Sequence, residues 1–449
     1  MHGEPIGSFG DVRRAERGAW LFERIVATGS LVLRRVGGTR AGEIAAHRFL
    51  DSPQVTAEEI IETLARRTGE RCHGRRIIAV QDTTEINFIG RDRARCGLGP
   101  AGDGKTPGFF MHAAVAVDAE DEAVVGLLDA AIWTRPAGRA GARRQRALAD
   151  KESQRWLSTA QAVAERAVGA TQLIVVGDRE SDIFALFARR PATVELVVRA
   201  AQDRRLADAT RLFDCARAWP ILGHCVVKIG PRGPGDKGRG AVVSLRAGAI
   251  RIARPRHGDR GDPEHLDLNL VEVREEAPPD GSEAIHWRLI TTLPVGNLTA
   301  AQQVVQIYRL RWRIEQTYRA CKSDGLGLPD LQTHDADRLF KMAALALGAA
   351  VRTIQLVDAR NGGGRPGSDV ADPEILEAAA AIGPTLEGKT LRQRNPHPPR
   401  SLPWLSWIVA RLGGWNCYYK PPGPKTMRAG WDKLAAMAAG FHLALSVRH

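Results

Sequence analysis

The sequence predicts an α/β fold, in which a mixed sheet flanked by helices forms the core and helical regions lie at both ends. Three observations predict it. Apolar residues recur at helical spacing over the first 75 residues, strand-length apolar runs and helical patterns follow between 76 and 200, and helical spacing returns after residue 297. With 449 residues, 44% of them hydrophobic, the chain is long enough to bury a large core.

The net charge of the chain indicates which class of partner it binds. The chain has 64 Lys and Arg residues against 51 Asp and Glu, a net charge of +13, which favours a polyanionic partner and most simply nucleic acid. Its apolar runs stay below the ~18 consecutive residues of a membrane span. The N-terminus, MHGEPIGSFGDVRRAERG, has no apolar segment typical of a secretory signal. We therefore expect a cytoplasmic, nucleoid-associated protein with no membrane partner.

Cysteine and histidine usage gives no support for zinc or nucleophilic chemistry. The six cysteines are scattered without a C-x-x-C pair or the Cys/His spacing of a zinc site, which is typical of reduced structural thiols. The twelve histidines form no H-E-x-x-H spacing, and no Ser/His/Asp or Cys/His nucleophile motif is present.

Residues 1–75 predict a helical N-terminal DNA-binding region. Thr56 is expected to cap a helix, with Glu59 completing a capping box. A basic surface on this region suits a nucleic-acid backbone. Its arginines are Arg13, Arg14, Arg17, Arg24, Arg34, Arg35, Arg40 and Arg48.

Residues 76–357 predict the central domain. The segment RRIIAVQDTTEINF contains an apolar strand that ends in an acidic-polar turn at Asp82, and two strands follow around the turn 118–121. A charged helix, KESQRWLSTAQAVAERAV, with Trp156 packed inward, precedes a buried strand that ends at Asp178 and a further helix. This order of strand, strand, strand, helix, strand, helix is that of an RNase H-like core. Its sheet would place both aspartates at the carboxyl ends of strands.

The remaining segments predict additions to this core. A β-subdomain is inserted at about 201–297 and contains the basic, Gly/Pro-rich excursion KIGPRGPGDKGRG, which by its composition could be a disordered loop. One helix is expected through LTAAQQVVQIYRLRWRIEQTYRACKSDG, ending at Gly325. Residues 358–403 are rich in Gly and Pro and predict a linker, and residues 404–449 predict a C-terminal helical region.

Three acidic residues are candidate metal ligands: Asp82 and Asp178, each after a strand, and Glu315 on the late helix. Cleavage of a phosphodiester needs charge stabilised on the entering and leaving oxygens, which two divalent ions ~4 Å apart achieve when carboxylates converge to hold them. Magnesium and manganese prefer such oxygen ligands. Taken singly, an Asp after a strand is more often a turn or capping residue.

The late helix strengthens the hypothesis. At ~100° per residue, Tyr308, Arg311, Glu315 and Lys322 share an arc of about 60°, next to a packed apolar face. The polar face would then carry a carboxylate between two cations and a phenol. A solvated face with ion pairs explains the charges but gives no reason for Tyr308.

The segments QDTTEINF, VVGDRESDIF and YRLRWRIEQTYRACKSDG resemble the DDE transposases of bacterial insertion sequences, in particular the IS-four group. That group has the signature Y-x2-R-x3-E-x6-K, which Tyr308, Arg311, Glu315 and Lys322 reproduce in full. Further segments near both ends, including AAHRFLDSPQVTAEEI and GWDKLAAMAAGF, extend the resemblance over nearly the whole chain.

The resemblance implies a role for each matching residue. Asp82, Asp178 and Glu315 match the catalytic, metal-binding triad, with Mg²⁺ as cofactor and Mn²⁺ as a substitute. The implied DNA-binding residues are Tyr308, Arg311, Arg319 and Lys322 at phosphates, and Trp287 and Arg199 at a flipped base. A tryptophan in a strand is otherwise usually a core residue. The implied partners are the terminal inverted repeats, target DNA and a second copy in a synaptic homodimer. The resemblance also implies that the β-insertion contacts DNA backbone and that residues 404–449 form the dimerisation region.

The implied activity is cut-and-paste transposition through strand cleavage, hairpin formation and opening, and strand transfer. Two alternatives stay open. The chain begins closer to its first helix than is usual in that family, which is compatible with a DNA-binding, dimerising regulator of transposition. An RNase H-like two-metal nuclease of different purpose would share the triad.

Overall fold

The computed structural model describes residues 5–88, 97–102, 104–135, 154–230, 238–279, 281–322, 325–333 and 335–446. Its centre is a mixed β-sheet. The strands are β1 (Arg76–Asn87), β2 (Gly108–Asp118), β3 (Val124–Trp133), β4 (Gln172–Gly177), β5 (Val194–Arg199), β6 (Gly223–Ile229), β7 (Arg239–Ala253), β8 (His265–Arg274) and β9 (His286–Thr291). Within the described residues, they form one sheet in the order β3-β2-β1-β4-β5-β9-β8-β7-β6.

Helices cover this sheet and occupy both ends of the chain. The N-terminal and core helices are α1 (Val12–Thr28), α2 (Leu33–Gly37), α3 (Arg40–Asp51), α4 (Ala57–Arg71), α5 (Gln154–Arg166), α6 (Phe184–Arg189) and α7 (Leu212–Cys215). The later helices are α8 (Leu298–Arg309), α9 (Trp312–Cys321), α10 (Ala336–Ala359), α11 (Pro373–Ile382), α12 (Leu402–Leu412) and α13 (Pro424–Ser446).

The first five strands form the predicted core. Strands β1, β4 and β5 are parallel neighbours, and β2 and β3 are antiparallel to their neighbours. A large mixed sheet flanked by helices confirms the predicted α/β class and is compatible with an RNase H-like domain. Because the parallel strands are adjacent, their carboxyl ends lie at one edge of the sheet.

Alternate side chains of β1 enter two different cores. Ile77 and Ala79 pack in a cluster with residues of α5 and α6, including Trp156, which is buried as predicted. Ile78 and Val80 pack in a second cluster with residues of α9 and α10. Helix α9 is therefore held on one face of the strand that carries Asp82.

The inserted β-strands continue the core sheet. Strand β9 pairs antiparallel with β5, with Arg199 opposite Leu289, and β8, β7 and β6 follow outward. The predicted subdomain is thus joined to the core by backbone hydrogen bonds. Residues 231–237, which contain Arg232 and Lys237 of the basic excursion, lie outside the described residues.

Strand β1 is longer than predicted. Its pairing with β2 continues to Asn87 opposite Gly108, so Asp82 lies within the strand, opposite Ala113. The prediction that Asp82 begins a turn is wrong. An acidic residue after an apolar run resembles the end of a strand in sequence, but here the ladder to β2 continues through it.

The late helix is divided. At its break, the N–H groups of Leu310 and Arg311 donate to carbonyl oxygens three residues earlier, which marks a tighter turn between α8 and α9. This changes the rotation assumed for one continuous helix. Tyr308 is 4% exposed, and the charges of Arg311 and Asp178 both influence its pKa, so it faces the acidic residues from a buried position. Helix α9 ends at Cys321 instead of Gly325, with Lys322 as its C-cap.

Residues 358–403 are packed against the protein, which corrects the prediction of a linker. The segment contains α11, and Arg365 pairs with Asp369 inside the protein. The Arg365 guanidinium also donates to the carbonyl oxygen of Val124. Gly and Pro limit regular structure, but these buried contacts fix the segment to the core.

Thr56 caps α4 by accepting a hydrogen bond from Glu59 N at 3.1 Å, as predicted, although the Glu59 carboxylate accepts a hydrogen bond from Ser8 N.

Both ends of the chain pack on α10. Helices α1, α12 and α13 all contact α10. Helix α10 is long and apolar enough to cross a membrane, but most of it is buried inside the protein, as in the core helix of a soluble protein.

Candidate active site

The two aspartates lie side by side on parallel strands. In the β1–β4 ladder, Val80 is opposite Val176, and Asp82 and Asp178 each follow two residues later. Asp178 comes directly after β4 and caps a short 3₁₀ turn by accepting a hydrogen bond from Glu180 N at 2.9 Å. It therefore acts as a capping residue and also lies beside Asp82 at the carboxyl edge of β4.

Glu315 approaches from α9. It lies in the first turn of this helix, and α9 packs on β1 and β2. The sheet and the helix thus bring the three predicted acidic residues into one region, although 82, 178 and 315 are far apart in sequence.

The pKa of Asp82 shows that the other two carboxylates are close to it. Burial, the Asp178 carboxylate and, to a smaller extent, the Glu315 carboxylate together raise the pKa of its carboxyl to about 7. The Arg311 guanidinium and a hydrogen bond from Thr83 N oppose the shift. A buried carboxylate surrounded by like charges is a site where a cation would be stabilised.

Arg311 supplies positive charge at this position. Its Nη1 lies 3.2 Å from Asp82 Oδ2, and its Nη2 donates to Glu315 Oε1. Only 13% of the Arg311 side chain is exposed. One guanidinium therefore bridges two of the three carboxylates.

The donor set suits a hard divalent cation, because carboxylate oxygens are what magnesium and manganese prefer. In the part of the chain that the structure describes, however, no three acidic, histidine or cysteine side chains form a ready metal cluster. The Arg311 guanidinium lies between the Asp82 and Glu315 carboxylates. The chemistry of the residues fits the ion, provided that Arg311 moves away from the two carboxylates.

Three of the predicted DNA-binding residues form a cluster. The rings of Trp287 and Tyr308 meet edge to face with centroids 5.1 Å apart, and Arg199 donates a hydrogen bond to the Tyr308 hydroxyl. Arg199 Nη2 also lies 3.4 Å from the carbonyl oxygen of His286. Burial raises the pKa of Tyr308. The cluster connects the end of β5, strand β9 and the end of α8.

The two remaining cations differ in environment. Lys322 is partly buried at the end of α9, and burial lowers its pKa while the Glu85 carboxylate of β1 opposes the shift. Arg319 is exposed on the same helix, one turn after Glu315. Lys322 is thus near the strand that carries Asp82, and Arg319 is accessible from solvent.

Sequence reasoning missed a polar network behind the aspartates. Arg155 Nε donates to Thr83 Oγ1 at 3.0 Å, and its Nη2 lies 3.1 Å from Glu180 Oε2, so it connects the residue after Asp82 to the turn after Asp178. The signal for this arginine was its place in KESQRW, which we interpreted only as a charged helix. Lys151, Glu152 and Ser153 of that motif lie outside the described residues.

A buried histidine extends this network. The ring of His112 lies 2.9 Å from Thr83 Oγ1 and 3.2 Å from Gln81 Oε1, and it meets the Trp156 ring edge to face. Burial holds its pKa well below the ordinary value, with Arg155 adding to the shift, so the ring is neutral. Tyr318, which the sequence analysis did not single out, also contacts the backbone of Asp82.

Comparison with known protein families adds evidence from the later part of the chain. Residues 228–352 match a family model described as a transposase DDE domain. The matched stretch runs from the inserted β-strands into α10 and includes Trp287 and Glu315. The match supports a DDE transposase, an enzyme that binds DNA and cleaves or transfers its strands, and such families generally use divalent metal ions.

Proposed function

We propose that this chain is a cut-and-paste DNA transposase of the IS-four group, the group that includes the transposase of transposon Tn-five. The observation that carries the proposal is the position of Asp82 on β1 beside Asp178, which directly follows the parallel neighbour β4, with Glu315 close enough to raise the pKa of Asp82. Glu315 lies within the transposase match. The sequence signature from Tyr308 to Lys322 supports the narrower group.

Asp82, Asp178 and Glu315 would hold two Mg²⁺ ions, or Mn²⁺ in their place. The bound ions would supply an activated water and stabilise the leaving oxygen. Water cleaves one strand at the transposon end and leaves a 3′-hydroxyl, which attacks the opposite strand to give a hairpin. A second water opens the hairpin, and the 3′-hydroxyl then attacks target DNA. Each step exchanges one phosphodiester oxygen for another, so no covalent enzyme intermediate is needed.

The cations around the triad would hold the DNA. Arg311, Arg319 and Lys322 bind phosphates near the scissile bond, where charge-assisted hydrogen bonds are strong. Tyr308 offers its hydroxyl to a phosphate beside Arg199. Trp287 supplies an aromatic face for a flipped base, and such stacking offsets part of the cost of unpairing it. The contact among Trp287, Tyr308 and Arg199 supports a common site for base and phosphate.

The assembly that we propose is a homodimer acting on the terminal inverted repeats and target DNA in the nucleoid. Its dimer contact would lie in residues 404–449. Helix α13 supports this, because Met437 and Phe441, one turn apart, are 44% and 36% exposed.

Incubation with Mg²⁺ and a DNA fragment carrying the element's inverted repeats tests the proposal. Wild type is compared with Glu315→Gln, and Glu377→Gln, an exposed carboxylate of α11, is the matched control. We expect excised or hairpin-ended products from wild type and the control, and none from Glu315→Gln.

Other outcomes identify the alternatives. DNA binding by all three proteins without strand cleavage would overturn the proposal in favour of a regulator. Cleavage that depends on Glu315 but yields neither hairpins nor excision would indicate a nuclease of different purpose.

A further inference from the structure

The hydroxyl of Tyr318 lies between β1 and β2 at the level of Asp82. Tyr318 O–H donates to the carbonyl oxygen of Asp82 at 2.6 Å, and Ala113 N–H donates to the Tyr318 oxygen at 3.1 Å. Asp82 and Ala113 are partners in the β1–β2 register. A side chain of α9 thus bridges the backbone pair at the aspartate.

The same turn of α9 carries Glu315, three residues before Tyr318. Residues at this spacing are neighbours on a helix surface. Tyr318 is 6% exposed and has a rigid ring, so its hydroxyl fixes the turn that carries Glu315 against the backbone of Asp82. Metal-binding side chains must be held within about 0.5 Å of a productive geometry, and partners behind the ligands provide that precision.

We propose that Tyr318 is a positioning residue that sets the separation between the Asp82 and Glu315 carboxylates, and through it the affinity of the site for divalent cations. This inference rests on the proposed function. In this proposal Tyr318 contacts neither the metal nor the DNA, and it acts only through the positions of Asp82 and Glu315.

Helix α9 has other anchors that do not involve this hydroxyl. Arg313 Nη1 lies 2.7 Å from the buried Asp358 carboxylate, and its Nη2 donates to the carbonyl oxygen of Glu122 at 2.9 Å. Ile314 and Cys321 are fully buried. A protein without the Tyr318 hydroxyl should therefore fold with α9 docked, and lose only the fixed contact at Asp82.

The test is Tyr318→Phe in the full chain, with Ser406→Ala as the matched control. Ser406 is also a buried hydroxyl that donates to a backbone carbonyl, that of Leu356 at 2.7 Å, but it lies on α12. Mn²⁺ affinity is measured by electron paramagnetic resonance, with a duplex carrying the terminal inverted repeat, and urea unfolding is measured in parallel. We expect Mn²⁺ affinity to fall about 10-fold or more in Tyr318→Phe and to stay within about twofold in Ser406→Ala.

Equal Mn²⁺ affinity in folded Tyr318→Phe and wild type would overturn the inference. Loss of the fold in Tyr318→Phe would also overturn it, because Tyr318 would then have a purely structural role. These results leave the proposed function intact if wild type cleaves DNA. A wild type that neither binds Mn²⁺ nor cleaves the duplex would instead overturn the proposed function.

Discussion

Arg311 Nη1 lies 3.2 Å from Asp82 Oδ2, and the other arm of the same guanidinium donates to Glu315. The arginine therefore compensates the charge of two carboxylates that would otherwise repel each other in a partly dry site. A divalent cation between these carboxylates and the guanidinium would compete for the same oxygens. If a metal centre forms as proposed, we expect Arg311 to turn toward another anion, such as a DNA phosphate.

Replacing Arg311 by Gln tests this exchange. The variant keeps a polar but shorter side chain and removes the charge, so Asp82 and Glu315 repel each other more strongly without metal. We expect a lower melting temperature than wild type in EDTA, and a larger upward shift on addition of Mn²⁺. Thermal unfolding with and without Mn²⁺ measures both. Arg309→Gln, whose arginine pairs with Glu122, is the control. An equal Mn²⁺ shift in wild type and Arg311→Gln would contradict the exchange.

Asp82→Asn should stabilise the metal-free protein at high pH. The folded pKa of Asp82 is about 7, above its ordinary value of about 4, so the folded state favours the protonated form. The associated stability is present at low pH and is lost as the pH rises through about 7. At pH 8 in EDTA we expect the free energy of unfolding of Asp82→Asn to exceed that of wild type by on the order of 2–4 kcal/mol. At pH 5 we expect a smaller difference.

Urea unfolding at the two pH values measures this difference. The control is Asp267→Asn, whose carboxylate is 82% exposed. A difference between Asp82→Asn and wild type that does not change with pH would show that the carboxyl titrates normally.

Trp287 should matter more for the hairpin than for the first cut. Stacking of a base on an aromatic ring contributes about 1–3 kcal/mol, which corresponds to about 5- to 160-fold in rate. We expect Trp287→Ala to slow hairpin formation by this factor and to change first-strand cleavage little, while Trp287→Phe keeps most of the hairpin rate. Single-turnover assays on labelled end DNA separate the two steps. Equal losses in both steps would indicate that Trp287 only supports Tyr308.

The buried pair Asp182–Arg204 should be needed for stability. The two side chains are 0% and 5% exposed, and Asp182 Oδ2 also accepts hydrogen bonds from the N–H groups of Ala201 and Gln202. Removing one charge leaves the other buried without compensation, so we expect Asp182→Asn to cost about 3–5 kcal/mol in urea unfolding. The double variant Asp182→Asn with Arg204→Met should lose less stability than the single variant Asp182→Asn. A smaller loss in the single variant would show that the pair is not effectively buried.

The order of the core could be predicted because each segment has its own periodicity. The apolar runs before Asp82 and Asp178 have strand length, and the following helices have helical spacing. That order predicts parallel strands. Because the carboxyl ends of parallel strands lie at one edge of a sheet, it also predicts that the two aspartates are neighbours. The spacing of the signature from Tyr308 to Lys322 identified Glu315.

Errors arose where a residue's environment depends on distant parts of the chain. Asp82 resembles a turn residue because the ladder to β2 is not visible in its neighbours. The late helix is predicted as one continuous element because the tight turn at Leu310 has no Pro or Gly to mark it. Residues 358–403 resemble a linker in composition, but Arg365 and Asp369 bury their charges against each other.

The sequence by itself determined the α/β class, the three acidic residues and a basic chain suited to DNA, because periodicity, motif spacing and net charge are local or additive properties. Only the tertiary structure decided how Arg311 bridges Asp82 and Glu315, how Trp287 meets Tyr308, and where the Tyr318 hydroxyl lies. Those contacts join residues far apart in the chain, and burial, which weakens solvent screening, gives them their strength.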